Sequence, residues 1–475
     1  MASPRLKLLS AGLVAAVLAL ARLPLSAAAM QPPKAVVPKD SMRITEDTVL
    51  TAGTYDLKEG IEIAADGVTL DGGGATLTGL DHKGSAVRAV GRKNVTIKNI
   101  KAESYYHGIR LEDCQDVTLL DSRITDTAEL DFGKQWLDLW TRAEEAYGAG
   151  IILIRVRGGR VAGNDLEHQQ NGISMYSCSG LTIEKNNASY ESGWGIHLYD
   201  SSDNVIQDNL ADFCDRVHFR SWGDYVGADA AGLVMVSNSC RNKVLRNFFR
   251  AGGDGIFVTT GHGGKSPCNN NIFEGNDCSL SPNNAIESTF CEGNIFRKNK
   301  ANDSNFGFWL GGSRKNEVTE NEIIENRHAG IAIDHGNSMT ISKNVIQGNR
   351  YGVLLWARRA QEENSDQSST PESHSYIISD NQIESNRVGI YSVTTSPGEP
   401  HCYNYTITGN KINDNRIGIR LERTKDCKIE ANTMSGNVVQ NIRLIESTGI
   451  TTSGNLEGEP PMEDPDKRGL PREVH

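Results

Sequence analysis

The chain has 475 residues, an apolar fraction of 38% and a formal net charge of −11. That much apolar material can build a large core, which excludes wholesale disorder, and the acidic balance excludes a general nucleic-acid binder, which shows a basic excess. It carries 48 glycines and 38 asparagines but only 14 prolines, with none between Pro38 and Pro267. Many turns and few forfeited backbone N–H groups exclude a collagen, a proline-rich linker protein and a helical bundle.

Residues 1–29 read as an export signal. Arg5 and Lys7 precede the apolar run from Leu8 to Ala21, and Ala27-Ala28-Ala29 offers a small-residue cleavage site. The run is short for a membrane span of about 20 residues. A secreted or periplasmic protein with no membrane span after processing is therefore expected. Residues 45–453 form the repeat domain, and the charged, proline-rich segment 454–475 is expected to be a disordered tail.

The repeat is a short segment of glycine, an aliphatic residue, any residue and usually another apolar residue. It occurs as GIRL at 108, GIIL at 150, GISM at 172, GIHL at 195, GLVM at 232, GIFV at 255 and AIES at 285. It continues as GFWL at 307, GIAI at 330, GVLL at 352, GIYS at 389, GIRL at 418 and NIRL at 441. The basic period is 22 or 23 residues, lengthened in places by insertions. Between these segments runs an asparagine series, Asn186, Asn209, Asn247, Asn276, Asn299, Asn321, Asn344, Asn381, Asn410 and Asn432. Each repeat thus holds at least two short strands separated by turns. The residue after the glycine and the one two further on must face inward, and the residue between them outward. Strands this short gain their pairing by stacking coil on coil. The fold class expected is all-β, a parallel β-helix of about 14 or 15 coils, with the asparagines at turns in left-handed geometry.

DGVTLDGGGATLTG at 66–79 looks like an opening coil, and GIHLYDSSDNVIQDN at 195–209 looks like a family repeat. Over roughly 45–450 the chain resembles the right-handed parallel β-helix superfamily, specifically its carbohydrate-binding and sugar-hydrolysis repeat group and the periplasmic NosD-type proteins.

A solenoid is a scaffold, and function is expected where the repeat is broken. Insertions at about 127–148 and 213–230 precede the glycine strand, and others at about 260–269, 357–374 and 394–402 follow it. Phe132, Trp136, Leu137, Leu139, Trp140, Ala143 and Ala146 fit an amphipathic helix packed on the flank. Both early insertions leave the same turn, so they should wall a groove. The outward column reads Arg110, Ile152, Ser174, His197, Val234, Phe257, Glu287, Trp309, Ala332, Leu354, Tyr391, Arg420 and Arg443. Its aromatic residues suit either the apolar faces of sugar rings or cover by a loop.

Chemistry is expected around the second insertion and the coils after it. Asp254, Glu287, His262, His218 and Arg220 are the candidate catalytic groups: carboxylates for acid–base hydrolysis, cations plus a base for elimination from a uronate. Asp254 and Glu287 lie three residues apart along the strand and one coil apart, on the order of 10 Å between Cα atoms, within side-chain reach of an inverting pair. His197, Phe257, Trp309, Asp229 and Lys265 are the candidate substrate-binding residues. No motif assigns a metal ligand or names a cofactor, although calcium held by Asp and Glu at turns is compatible with the composition. Cys268 and Cys291 occupy equivalent places in adjacent coils, within bridging range, with Cys240 as a competitor and a stack of free thiols as the alternative.

The function expected is a monomeric polysaccharide lyase or glycoside hydrolase whose partner is a polysaccharide or oligosaccharide. The alternatives are a NosD-type accessory protein for metal-cofactor maturation and a non-catalytic surface solenoid.

Overall fold

A computed structural model describes residues 35–131, 136–218, 225–227, 229–357, 372–395, 398 and 400–458, with backbone only at 218, 225 and 226. The expected signal at 1–29 and most of the expected tail lie outside the described residues. Strands run from Ala35–Val36 to Leu456–Glu457. The last pairs with the strand Thr433–Ser435, so the solenoid continues a few residues into the segment expected to be tail. Among the described residues no helix is long and apolar enough to cross a membrane.

The chain forms a right-handed parallel β-helix. One sheet has sixteen strands in chain order from Met42–Ile44 to Gln440–Ile445, and a second has seventeen. Sixteen coils replace the 14 or 15 expected, because the ladder begins upstream of the recognised repeats, with Met42–Ile44 and then Ile61–Ile63, which follows Gly60. A third sheet has four strands at one end and six at the other. Between them it thins to single bridges, from Arg123↔Asp165 to Lys300↔Glu322. The middle coils are therefore the least regular, and the two early insertions and the one at about 260–269 leave from them.

The register reproduces the repeat alignment residue for residue. Ile196, Leu233, Ile256, Ile286 and Phe308 stack inward without exposure. His197, Val234, Phe257, Glu287 and Trp309 stack outward. The glycine is required by close approach between coils. A Cβ on Gly352 would stand 2.5 Å from the carbonyl oxygen of Gly389, and one on Gly389 would stand 2.6 Å from that of Gly418.

The asparagine ladder spans Asn164 to Asn455. Each Oδ1 accepts both the backbone N–H and the Nδ2–H of the previous asparagine, at 2.9–3.1 Å. The left-handed residue is the one before each asparagine, as at Lys185, Asp208, Arg246 and Lys298, and not the asparagine itself. Two further ladders, Asn204 to Asn316 and Asn326 to Asn437, do the same work at the other turns. All nine cysteines are buried free thiols, so Cys240, Cys268 and Cys291 form the stack and no bridge.

Candidate active site

The glycine bend shapes the outer face. Along each strand, the residue two before the inward aliphatic swings back beside the outward residue three positions later. Trp194 stacks on His197 with ring centroids 4.2 Å apart, Phe306 meets Trp309 at 4.9 Å, and Asn284 Nδ2 donates to Glu287 Oε2 at 2.6 Å. Two columns therefore share the face, and the first contains Trp194, Ala231, Asp254, Asn284 and Phe306 in successive coils.

This pairing brings Asp254 and Glu287 together. Asn284 bridges them: its backbone N–H donates to Asp254 Oδ1 at 2.7 Å while its side chain donates to Glu287. Asp254 is 2% exposed, and Glu287 keeps a partly exposed face. Asp229, at the end of the second insertion, is the third member. Burial raises the proton affinity of Asp254, offset partly by the Asn284 N–H and reinforced by the Asp229 charge, and its pKa stands at about 8. Burial, then Asp254 and then Asp229 push Glu287 well above the usual carboxyl range. Like charges this close cannot all ionise, so the group holds protons at neutral pH.

The two early insertions fix Asp229. Its Oδ2 accepts Trp136 Nε1–H at 2.5 Å and its carbonyl accepts Trp194 Nε1–H at 2.9 Å. The buried Arg216 guanidinium ties the insertions together by donating to the carbonyls of Asp131 (2.7 Å) and Ser192 (3.2 Å). In its described part the first insertion is an irregular strap with one 3-10 turn, Ala143–Glu145, and not the expected amphipathic helix. Phe132 lies outside the described residues. Leu137 and Leu139 still bury themselves against Trp194, Val234 and Phe257, because an extended segment on a flat face needs no helical period to present apolar side chains.

The insertions consequently roof the upstream coils and do not flank an open groove there. His197 has no exposed surface and Phe257 only 8%, which leaves neither a face for a ligand. Enclosure by apolar neighbours drives the His197 pKa down to about 3, so the ring is neutral. Both residues are floor beneath the strap, contrary to the substrate-binding role expected of them.

Downstream of Glu287 the face is different. Trp309, Trp356, Tyr351 and Tyr391 are all partly exposed and lie over the small or buried Ala332 and Leu354. Trp309 meets Trp356 at 5.5 Å, Tyr351 meets Tyr391 at 5.5 Å, and the Arg420 guanidinium lies 4.9 Å over Tyr391. Of this strip only Trp309 and Tyr391 were legible as outward residues. Tyr351 stands three before the outward Leu354, where the same offset would have found it, and Trp356 stands two after Leu354, where strand alternation faces outward again. His262 is exposed on the rim, its ring edge-on to Trp140 at 5.5 Å, and Lys265 is exposed where the same turn ends. Arg220 and the His218 side chain lie outside the described residues. Among the described residues no group of three or more His, Cys, Asp or Glu is placed to hold a metal ion, so the calcium expectation finds no site there.

The family model described as the right handed beta helix region matches residues 141–280 and 231–366, and that of the periplasmic copper-binding protein NosD matches 361–457. The chain belongs to the right-handed parallel β-helix superfamily. No curated protein matches it in sequence. Among solved structures it is similar to the mannuronan C-5 epimerase AlgE6 A-module of Azotobacter vinelandii, at 12% identity over 88% of this chain and 91% of that one, with a TM-score of 0.36. The periplasmic alginate epimerase AlgG (10% identity, 86% and 77% coverage, TM-score 0.37) and the GH136 lacto-N-biosidase of Eubacterium ramulus (13%, 71% and 62%, 0.42) are also similar. Likeness at this level carries nothing about chemistry.

Proposed function

We propose that the protein is an exported glycoside hydrolase acting on a neutral polysaccharide or oligosaccharide. The observation that carries this reading is the meeting of three carboxyl groups at the head of a half-exposed aromatic strip. Aromatic faces bind the C–H faces of sugar rings, and hydrolysis of a glycosidic bond requires one protonated carboxyl and one carboxylate. The charges acting on Glu287 come from Asp254 and Asp229, and the charge acting on Asp254 comes from Asp229, so the centre is acidic. An acidic centre repels a uronate, which favours hydrolysis of a neutral sugar over elimination.

Glu287 has the partly exposed face and the strongly raised proton affinity that suit a general acid. It donates its proton to the bridging oxygen as the anomeric C–O bond breaks. Asp229 is partly exposed and oriented by Trp136. It accepts a proton from the water whose oxygen bonds to the anomeric carbon, and exchange with solvent then returns Glu287 to its acid form and Asp229 to its base form. Asp254, 2% exposed, is a positioning residue that keeps Glu287 protonated and holds Asn284 in line.

The test is turnover of a panel of neutral and acidic polysaccharides, read by new reducing ends and by ultraviolet absorbance of unsaturated products. New reducing ends on a neutral polymer are expected, with Glu287→Gln slower by about 10²–10⁴-fold. Unsaturated products would make the protein a lyase instead, and full activity in Glu287→Gln would remove the acid role. The NosD-type match over 361–457 supports a second reading, a periplasmic accessory protein for a metal cofactor. Tight copper binding with no turnover of any polymer would establish that one.

A further inference from the structure

We infer that the site takes a chain end and releases short products from it, and does not cut within a chain; this rests on the hydrolase reading above. The outward column changes character at Glu287. On its upstream side Ile152, Ser174, His197 and Val234 are at most 1% exposed and Phe257 is 8% exposed. What covers this side is the strap, through Leu137 and Leu139, pinned by the Trp140 Nε1–H donated to the Thr260 carbonyl at 3.0 Å. Trp136 and Asp229 complete the wall beside the carboxyl groups.

On the downstream side the column stays open among the described residues. Trp309, Tyr391 and Arg420 are partly exposed and Arg443 is exposed. The buried Ala332 and Leu354 let the flanking Tyr351 and Trp356 lie across the face. Trp309 to Tyr391 covers three coil steps, about 14 Å at the ~4.8 Å strand spacing. A sugar chain lying along the solenoid axis thus has several places on one side of Glu287 and a wall on the other. Only a terminus fits such a track, because an internal segment would have to pass through the strap.

The experiment follows a neutral polymer that the protein degrades, measuring viscosity, reducing ends and product length together. Release of one- or two-unit products from the first time point, with viscosity falling slowly per bond cut, is expected. A rapid viscosity loss with a broad ladder of intermediate lengths would overturn the chain-end assignment while leaving hydrolysis intact. Absence of turnover on every polymer would instead refute the hydrolase reading, and this inference with it. Trp140→Ala, which loosens the wall without touching the carboxyl groups, is expected to lengthen the first products. Unchanged product length in a variant of wild-type stability would overturn the strap as the limiting wall.

Discussion

Asp254 shows how strongly one buried carboxyl couples this fold to pH. Its native pKa of about 8 lies above the usual 3.8, so between those values the folded state binds more protons than the unfolded chain. Stability conferred by the protonated form is full below about pH 4 and is lost as pH rises toward 8 and beyond, at up to about 1.4 kcal/mol per pH unit. Asp254→Asn is expected to flatten this slope and to be more stable than wild type at pH 8. Urea denaturation at pH 5, 6.5 and 8 checks it, and an unchanged slope would contradict the burial argument. The pairing with Glu287 was legible from spacing alone, since the repeat fixes both residues along the strand and across coils. Asp229 was named only as a substrate-binding candidate, and its meeting with the carboxyl pair was not legible. Its place depends on Trp136 and Trp194, ninety-three and thirty-five residues away in sequence, and no local pattern carries such contacts.

At the scale of elements, the ladders and the strip make different demands. The ladder asparagines Asn276 and Asn299 are buried and each serves the coil on either side, so Asn299→Ala strands the Asn276 N–H and Nδ2–H without an acceptor. A loss of about 2–4 kcal/mol is expected at one to two unmet buried groups, read as a lower urea midpoint. A loss below about 0.5 kcal/mol would mean that the ladder is incidental. The strip is partly solvated and rests on small residues, so Trp309→Ala and Tyr351→Ala are expected to change stability far less. On a cleavable substrate each should raise KM by about tenfold, the worth of about one ring contact, with kcat little altered. An unchanged KM in both would remove the strip from binding. The ladder positions and the outward column were legible because stacking forces a period. The strap was misread as a helix because Trp136, Leu137, Leu139 and Trp140 satisfy helical spacing only loosely, and tertiary burial on a flat face selects an extended path.

For the whole molecule, the solenoid supplies a rigid axis and the insertions decide where that axis is accessible. Sixteen strands in one parallel sheet give a long outer face with a fixed coil rise. The insertions close its upstream part, so the acidic centre sits where a continuous covered face becomes a continuous aromatic one. The candidate site was therefore legible as a region, the coils that break the rule, while the open direction emerged only with the strap in place. The measurement that most directly tests this account is the pH profile of kcat on a neutral polysaccharide, for wild type and Asp254→Asn. If Glu287 is the acid and Asp254 raises its proton affinity, activity persists well above the ordinary carboxyl range and declines as Glu287 ionises. Removing the neighbouring charge then moves that decline toward lower pH. A decline at the same pH in both proteins, or one near the ordinary carboxyl pKa in wild type, would contradict it.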